Sequence, residues 1–180
     1  MPGPDEAGPG ETGRTPAARL VAALAERGLT IAVAESLTGG LLTAELVTVP
    51  GASAVLTGGV VAYATPLKHR LLGVDEQLLA ERGAVDADVA RQMADGVRRA
   101  CAVEGRPSDL GIATTGVAGP DPQDGHPPGT VHLGIASPRG IRSVALRLAG
   151  DRASIRRASV DAAIAETLAE LAGATAPTAE

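Results

Sequence analysis

Thr30-Ile31-Ala32-Val33-Ala34-Glu35-Ser36-Leu37-Thr38-Gly39-Gly40-Leu41-Leu42 is the stretch on which the reading of the whole chain turns. Its first half is a short apolar run, the pattern of a buried strand. Its second half opens an amphipathic helix, with Leu41, Leu42, Leu46 and Val47 at helical spacing. Between them lie a carboxylate, two hydroxyls and two glycines. A strand that turns sharply into a helix points a side chain at the carboxyl edge of a sheet. It also aims free backbone N–H groups and the positive end of the helix dipole there. Ser36 at that corner is placed as a nucleophile, and Thr38, Gly39 and Gly40 offer amides to an anion or an oxyanion. The same residues also suit a plain N-cap and a tight turn, so this stretch alone leaves both readings open.

The rest of the chain supplies the setting. At 180 residues it is long enough to bury a sizeable core, with one domain as the expectation. Hydrophobic residues make up 44%, yet there is one Tyr and no Phe or Trp, so the core must be Ala, Val, Leu and Ile. A net charge of −5 argues against a general nucleic-acid binder. A single cysteine, Cys101, excludes an internal disulfide and a cysteine metal cluster. His69, His126 and His132 show no metal-ligand spacing, so neither a metal nor a cofactor is expected. Of the 16 basic residues, 15 are Arg, and the only Lys is Lys68. Arg cannot replace Lys where an amine must lose its proton, which makes the surviving lysine informative.

In chain order, residues 1–14 are rich in Pro, Gly and acid and read as a disordered tail. They lack the basic start and apolar run of a signal peptide, and no stretch has the length of a membrane span. A cytoplasmic location is expected. Thr15-Pro16 opens a helix that Gly28 ends. A strand over 30–34 leads to the Ser36 corner and a helix to about Val49. Val55 to Tyr63 reads as a second strand, and Thr65-Pro66 opens a short helix carrying Lys68. Asp75 caps a further turn, Asp86 caps a helix over about 87–103, and Leu110 to Thr114 is a third strand. Thr115-Gly116-Val117-Ala118-Gly119-Pro120 makes a second glycine-rich corner. Asp121 to Pro128 reads as a mobile polar flap, 129–137 and 141–148 as a hairpin, and Arg152 to about Leu171 as the last helix. A single domain over 15–173 and a frayed tail over 174–180 are expected. Strands interleaved with helices, plus a hairpin, predict an α/β fold: a three-layer α/β/α sandwich with a mixed sheet.

Ligands of open α/β sheets bind beyond the carboxyl ends of the strands. Ser36, Tyr63 and Lys68 brought together there would make a hydrolase without histidine. Neutral lysine would take the serine proton, and tyrosine would hold the lysine or relay a proton. The chain has no Gly-x-Ser-x-Gly elbow, no Walker loop and no Rossmann fingerprint.

Several motifs together carry a resemblance. Ala34-Glu35-Ser36-Leu37-Thr38-Gly39-Gly40, Tyr63 with Lys68, Gly83-Ala84-Val85, Thr115 to Pro120, Pro128-Gly129-Thr130-Val131 and Gly150-Asp151-Arg152 resemble the CinA C-terminal domain family, the nicotinamide-nucleotide amidases. The similarity runs from about Arg19 to Leu171 with the motifs in family order. It implies hydrolysis of the carboxamide of nicotinamide mononucleotide to nicotinic acid mononucleotide and ammonia. It also implies the three-layer fold and a homo-oligomer, with a dimer favoured. By the same resemblance Ser36 is the nucleophile, with Lys68 and Tyr63 beside it.

A nucleotide brings a phosphate. The amides of Thr38, Gly39 and Gly40, or of the corner from Thr115 and Gly116 through Ala118 and Gly119, are candidates to cradle it. Arg152 and Arg156 are candidates for charge-assisted bonds to it, whereas Arg157 reads as solvated. Two departures from the family pattern stand out. Asp86 follows Gly83-Ala84-Val85 where Ser is usual, and caps equally well. His126-Pro127-Pro128-Gly129 stands where Lys-Pro-Val-Gly is usual, which would weaken any ligand contact made by that lysine. Some members carry a larger N-terminal nucleotide-processing domain without a counterpart in this sequence, so no pyrophosphatase activity is expected. The alternative reading is a binding module of the same fold that holds a nucleotide or a partner without turnover.

Overall fold

The computed structural model of the protein describes residues 15–173. The two tails read from the sequence, 1–14 and 174–180, lie outside the described residues. The elements in order are α1 (Pro16–Glu26), β1 (Ile31–Glu35), α2 (Leu41–Val47), a 3₁₀ turn (Ala52–Ala54), β2 (Leu56–Val61), α3 (Thr65–Leu72), α4 (Glu76–Arg82), α5 (Ala87–Ala100), β3 (Leu110–Gly116), β4 (Thr130–Ser137), β5 (Gly140–Arg147) and α6 (Arg152–Ala172). The five strands form one sheet in the order β2-β1-β3-β4-β5. β1 runs parallel to β2 and β3, and the β4–β5 hairpin adds two antiparallel strands. The fold is the α/β sandwich with a mixed sheet that the sequence predicts.

Strand alternation divides the core in two. Ile31 and Val33 of β1 and Leu110 and Ile112 of β3 face a layer built by α1, α2 and α6. Ala32, Ala34 and Ala113 face the opposite layer of α3, α4 and α5. That second face is made of small residues for a physical reason. A Cβ added at Gly111 would run into the carbonyl oxygen of Ala94, and one at Gly134 into that of Ala90. The backbone of α5 therefore lies directly on the sheet, and a chain almost free of aromatics packs its layers by close approach.

Several boundaries differ from the sequence reading. β3 continues to Gly116, two residues beyond Thr114, because it keeps pairing with β4 as far as Val131. α5 stops at Ala100, and Val103 then pairs with Arg106. Asp75 caps a full helix, α4, rather than a single turn. Within 121–128, read from the sequence as a mobile polar flap, Gln123 and His126 exchange backbone bonds of 3.0 and 2.8 Å and close a small hairpin. Asp124 and Gly125 at its tip both have positive φ, the geometry of a type I′ turn.

The close α5 contact gives a test of the packing. Gly111→Ala should lower stability by about 1–3 kcal/mol or more, because the methyl meets a helix carbonyl that cannot retreat. Urea denaturation reads this directly; an unchanged midpoint would show that α5 can slide.

Candidate active site

The site begins with the alternation of β1 at its carboxyl end. Glu35 and Ser36 are neighbours, so they leave the strand on opposite faces. Ser36 turns toward α3, and its amide is fixed by the carbonyl of Thr114 at 2.9 Å. Glu35 turns toward α2 and is fully buried. Its carboxylate accepts bonds from the amides of Gly40 (2.9 Å), Leu42 (3.0 Å) and Thr43 (2.8 Å) and from the Thr43 hydroxyl (2.6 Å). The N-cap position of α2 is Gly40, at φ +98°, which has no side chain to cap with. Glu35 reaches over the turn and caps the helix in its place. Ser36 is therefore not the cap, and its hydroxyl is left for other work.

That hydroxyl meets Lys68. Thr65-Pro66 opens α3, and a helical side chain leans back toward its own N-terminus, here toward the end of β2. The Lys68 Nζ lies 2.9 Å from the Ala62 carbonyl, 3.3 Å from the Tyr63 carbonyl and 3.2 Å from Ser36 Oγ. The residue is 1% exposed, and no carboxylate among the described residues pairs with it. Burial lowers its pKa from 10.5 to about 8. In the neutral form two N–H groups satisfy the two carbonyls, and the lone pair is left to accept the Ser36 proton. Glu35, the carboxylate that would oppose this shift, is occupied at the helix on the other face.

Tyr63 takes a different part from the one the sequence suggests. It is the Tyr63 carbonyl, not the phenol, that holds the amine. The side chain is 58% exposed at the rim, and its hydroxyl accepts a bond from Arg152 at 3.1 Å. Arg152 also donates to the Gly119 carbonyl at 2.8 Å, which ties the rim to the second glycine corner.

A polar cavity of about 290 Å³ opens at this point, close to the lower end of the roughly 300–1,000 Å³ usual for small-ligand sites. Ser36, Lys68, Tyr63, Thr115, Gly116, Ala118, Gly119 and Arg152 all line it, as do Asp121 and Gln123 of the small hairpin. Thr115 steadies the opposite wall by donating to the Ala84 carbonyl at 2.6 Å.

Thr38, Gly39, Gly40 and Arg156 do not line the cavity. The Gly39 amide is bound to the Ser36 carbonyl at 3.1 Å and the Gly40 amide to Glu35, so these two cannot form the anion cradle. Thr38 is buried with its hydroxyl 2.7 Å from that of Thr114. Arg156 donates to the carbonyls of Leu37 and Thr38. The amides of Leu37 and Thr38 have no acceptor among the described residues, and Leu37 lines the cavity. His126 does not line it, so the departure at that position lies away from the wall.

A serine and a buried lysine with no carboxylate partner among the described residues thus lie together in a cleft at the carboxyl edge of the mixed sheet of an α/β/α sandwich. The chain belongs to the CinA C-terminal domain family, whose model matches residues 14–171. It is 50% identical over 150 residues to a CinA-like protein of Frankia casuarinae, covering 83% of this chain and 34% of that one. A CinA-like protein of Geobacter sulfurreducens is 50% identical over 132 residues, covering 73% and 31%. The chain thus spans about a third of the length of the curated relatives it matches. A crystal structure of a competence-damaged protein (CinA) superfamily member from Klebsiella pneumoniae superposes with a TM-score of 0.82 at 31% identity, covering 88% of this chain and 96% of that one. The competence/damage inducible protein CihA of Agrobacterium tumefaciens gives 0.79 at 34%, covering 91% and 97%. No helix among the described residues is long and apolar enough to cross a membrane.

The capping role of Glu35 can be isolated. Glu35→Gln removes the charge and turns an amide toward the helix donors, and should cost about 2–4 kcal/mol given the usual strength of bonds to a charged acceptor. Chemical denaturation checks this, and a loss below about 0.5 kcal/mol, the scatter of ordinary surface changes, would remove Glu35 from the frame of the site.

Proposed function

We propose that the site hydrolyses the carboxamide of a pyridine nucleotide, converting nicotinamide mononucleotide to nicotinic acid mononucleotide and ammonia. The observation that carries this reading is the Lys68 amine, 3.2 Å from Ser36 Oγ, buried without a counter-ion and with its pKa lowered to about 8. Ser36 Oγ attacks the amide carbon as Lys68 takes its proton. The oxyanion falls to a backbone donor, for which the Leu37 amide at the cavity wall is available. The protonated lysine then gives its proton to the departing nitrogen, and the C–N bond breaks to release ammonia and leave an ester on Ser36. Water, deprotonated by Lys68, attacks the ester; the acyl–Oγ bond breaks to free the acid, and Lys68 returns the proton to Ser36 Oγ.

The walls suit such a substrate. Arg152 is exposed at the rim for a phosphate, and Asp121 adds a carboxylate that complements a cationic pyridinium ring. His126, the departure that would weaken a ligand contact, is not among the residues that line the cavity.

Ammonia release from nicotinamide mononucleotide tests the reading. Only the neutral amine is a base, so kcat/KM should rise about tenfold per pH unit below about 8 and level off above it. Lys68→Arg keeps the charge but removes the base and should lose at least about a hundredfold in kcat. Ser36→Ala should abolish turnover. Near-normal turnover in Lys68→Arg would make Lys68 a binding residue and end the Ser-Lys mechanism.

A further inference from the structure

The guanidinium of Arg156 has an unusual set of partners. It pairs with no carboxylate among the described residues. Nε donates to the carbonyl of Leu37 at 2.9 Å and Nη2 to that of Thr38 at 2.8 Å, the two residues that follow the serine. Leu37 has no other donor to its carbonyl among the described residues, and Thr38 keeps only a 3.3 Å bond from the Leu41 amide. On the far side of the same turn, Glu35 takes the amides of Gly40, Leu42 and Thr43. The turn is thus gripped by an arginine on its acceptors and by a buried carboxylate on its donors.

Peptide planarity gives this grip a consequence. Fixing the Leu37 carbonyl toward α6 fixes the Thr38 N–H in the opposite direction. That N–H has no acceptor among the described residues. Arg152, one helical turn earlier on α6, reaches Gly119 and Tyr63 from the same face. The first turns of α6 therefore join the nucleophile turn, the tyrosine loop and the second glycine corner.

We propose that Arg156 is a positioning residue: it holds the carbonyls of Leu37 and Thr38 so that Ser36 and the Leu37 amide at the cavity wall stay in place for the reaction, and it does not bind substrate. The role rests on the reading of Ser36 as nucleophile, but the grip itself can be measured separately. Hydrogen exchange of the bonded 39–43 amides and steady-state ammonia release are compared in the wild-type protein, Arg156→Ala and Arg156→Lys. In Arg156→Ala these amides should exchange about tenfold faster or more, with β3 and β4 unchanged. The same variant should lose about tenfold or more in kcat, with KM held within about threefold. Lysine reaches one carbonyl at a time, so Arg156→Lys should fall between; it carries the same comparison if the alanine variant folds poorly. Wild-type exchange rates in both variants, or a raised KM with kcat intact, would overturn the proposal. Faster exchange in a protein whose wild type releases no ammonia would uphold the grip and remove the amidase reading instead.

Discussion

A lysine amine withdrawn from water, with no carboxylate among the described residues to pair with it, is the constraint on which the rest of the site depends. At about 1.36 kcal/mol per unit, lowering its pKa from 10.5 to about 8 costs the folded state about 3 kcal/mol wherever the amine is charged in both states. The sign follows from proton binding. Between about pH 8 and 10.5 the unfolded chain binds the proton and the folded chain does not, so stability rises with pH across that window. Below it the full cost is present. The fold carries this burden at neutral pH and in return presents an amine that can take a proton from serine.

Three features keep the amine unpaired and the serine in reach. Strand alternation sends Glu35 to one side of the sheet and Ser36 to the other, so a carboxylate one residue from Ser36 serves a helix instead of neutralising the lysine. Lys68 itself is 1% exposed, on the helix layer that packs against the small-residue face of the sheet. Two carbonyls at the end of β2 fix the amine where a carboxylate would otherwise be expected. The sandwich, the small-residue core and the site are one arrangement.

The sequence announces the fold well, because periodicity and glycine corners are local signals. The Ser36 corner, the helix that carries Lys68 and the Thr115 to Gly119 corner are legible for the same reason. What is not legible is which polar groups are already taken. Gly39 and Gly40 look like part of a free cradle until the Ser36 carbonyl and a carboxylate five residues before Gly40 are seen to take their amides. The partners of the Tyr63 phenol and of Arg156 are hidden likewise, since they lie 89 and 118 residues away in the chain. The Asp124-Gly125 turn is different: its dipeptide is a known type I′ signal, and the surrounding prolines and charges obscure it.

Because Lys68 is the only lysine in the chain, its amine can be followed alone. Protein labelled with ¹³C at the lysine Cε gives one lysine Cε signal, whose shift against pH reports the ionisation of that group. A midpoint near pH 8 is expected in the folded protein, moving to the ordinary value in denaturant. A midpoint near 10.5 in the folded protein would show an amine that stays charged at neutral pH, and would contradict its role as the base for Ser36.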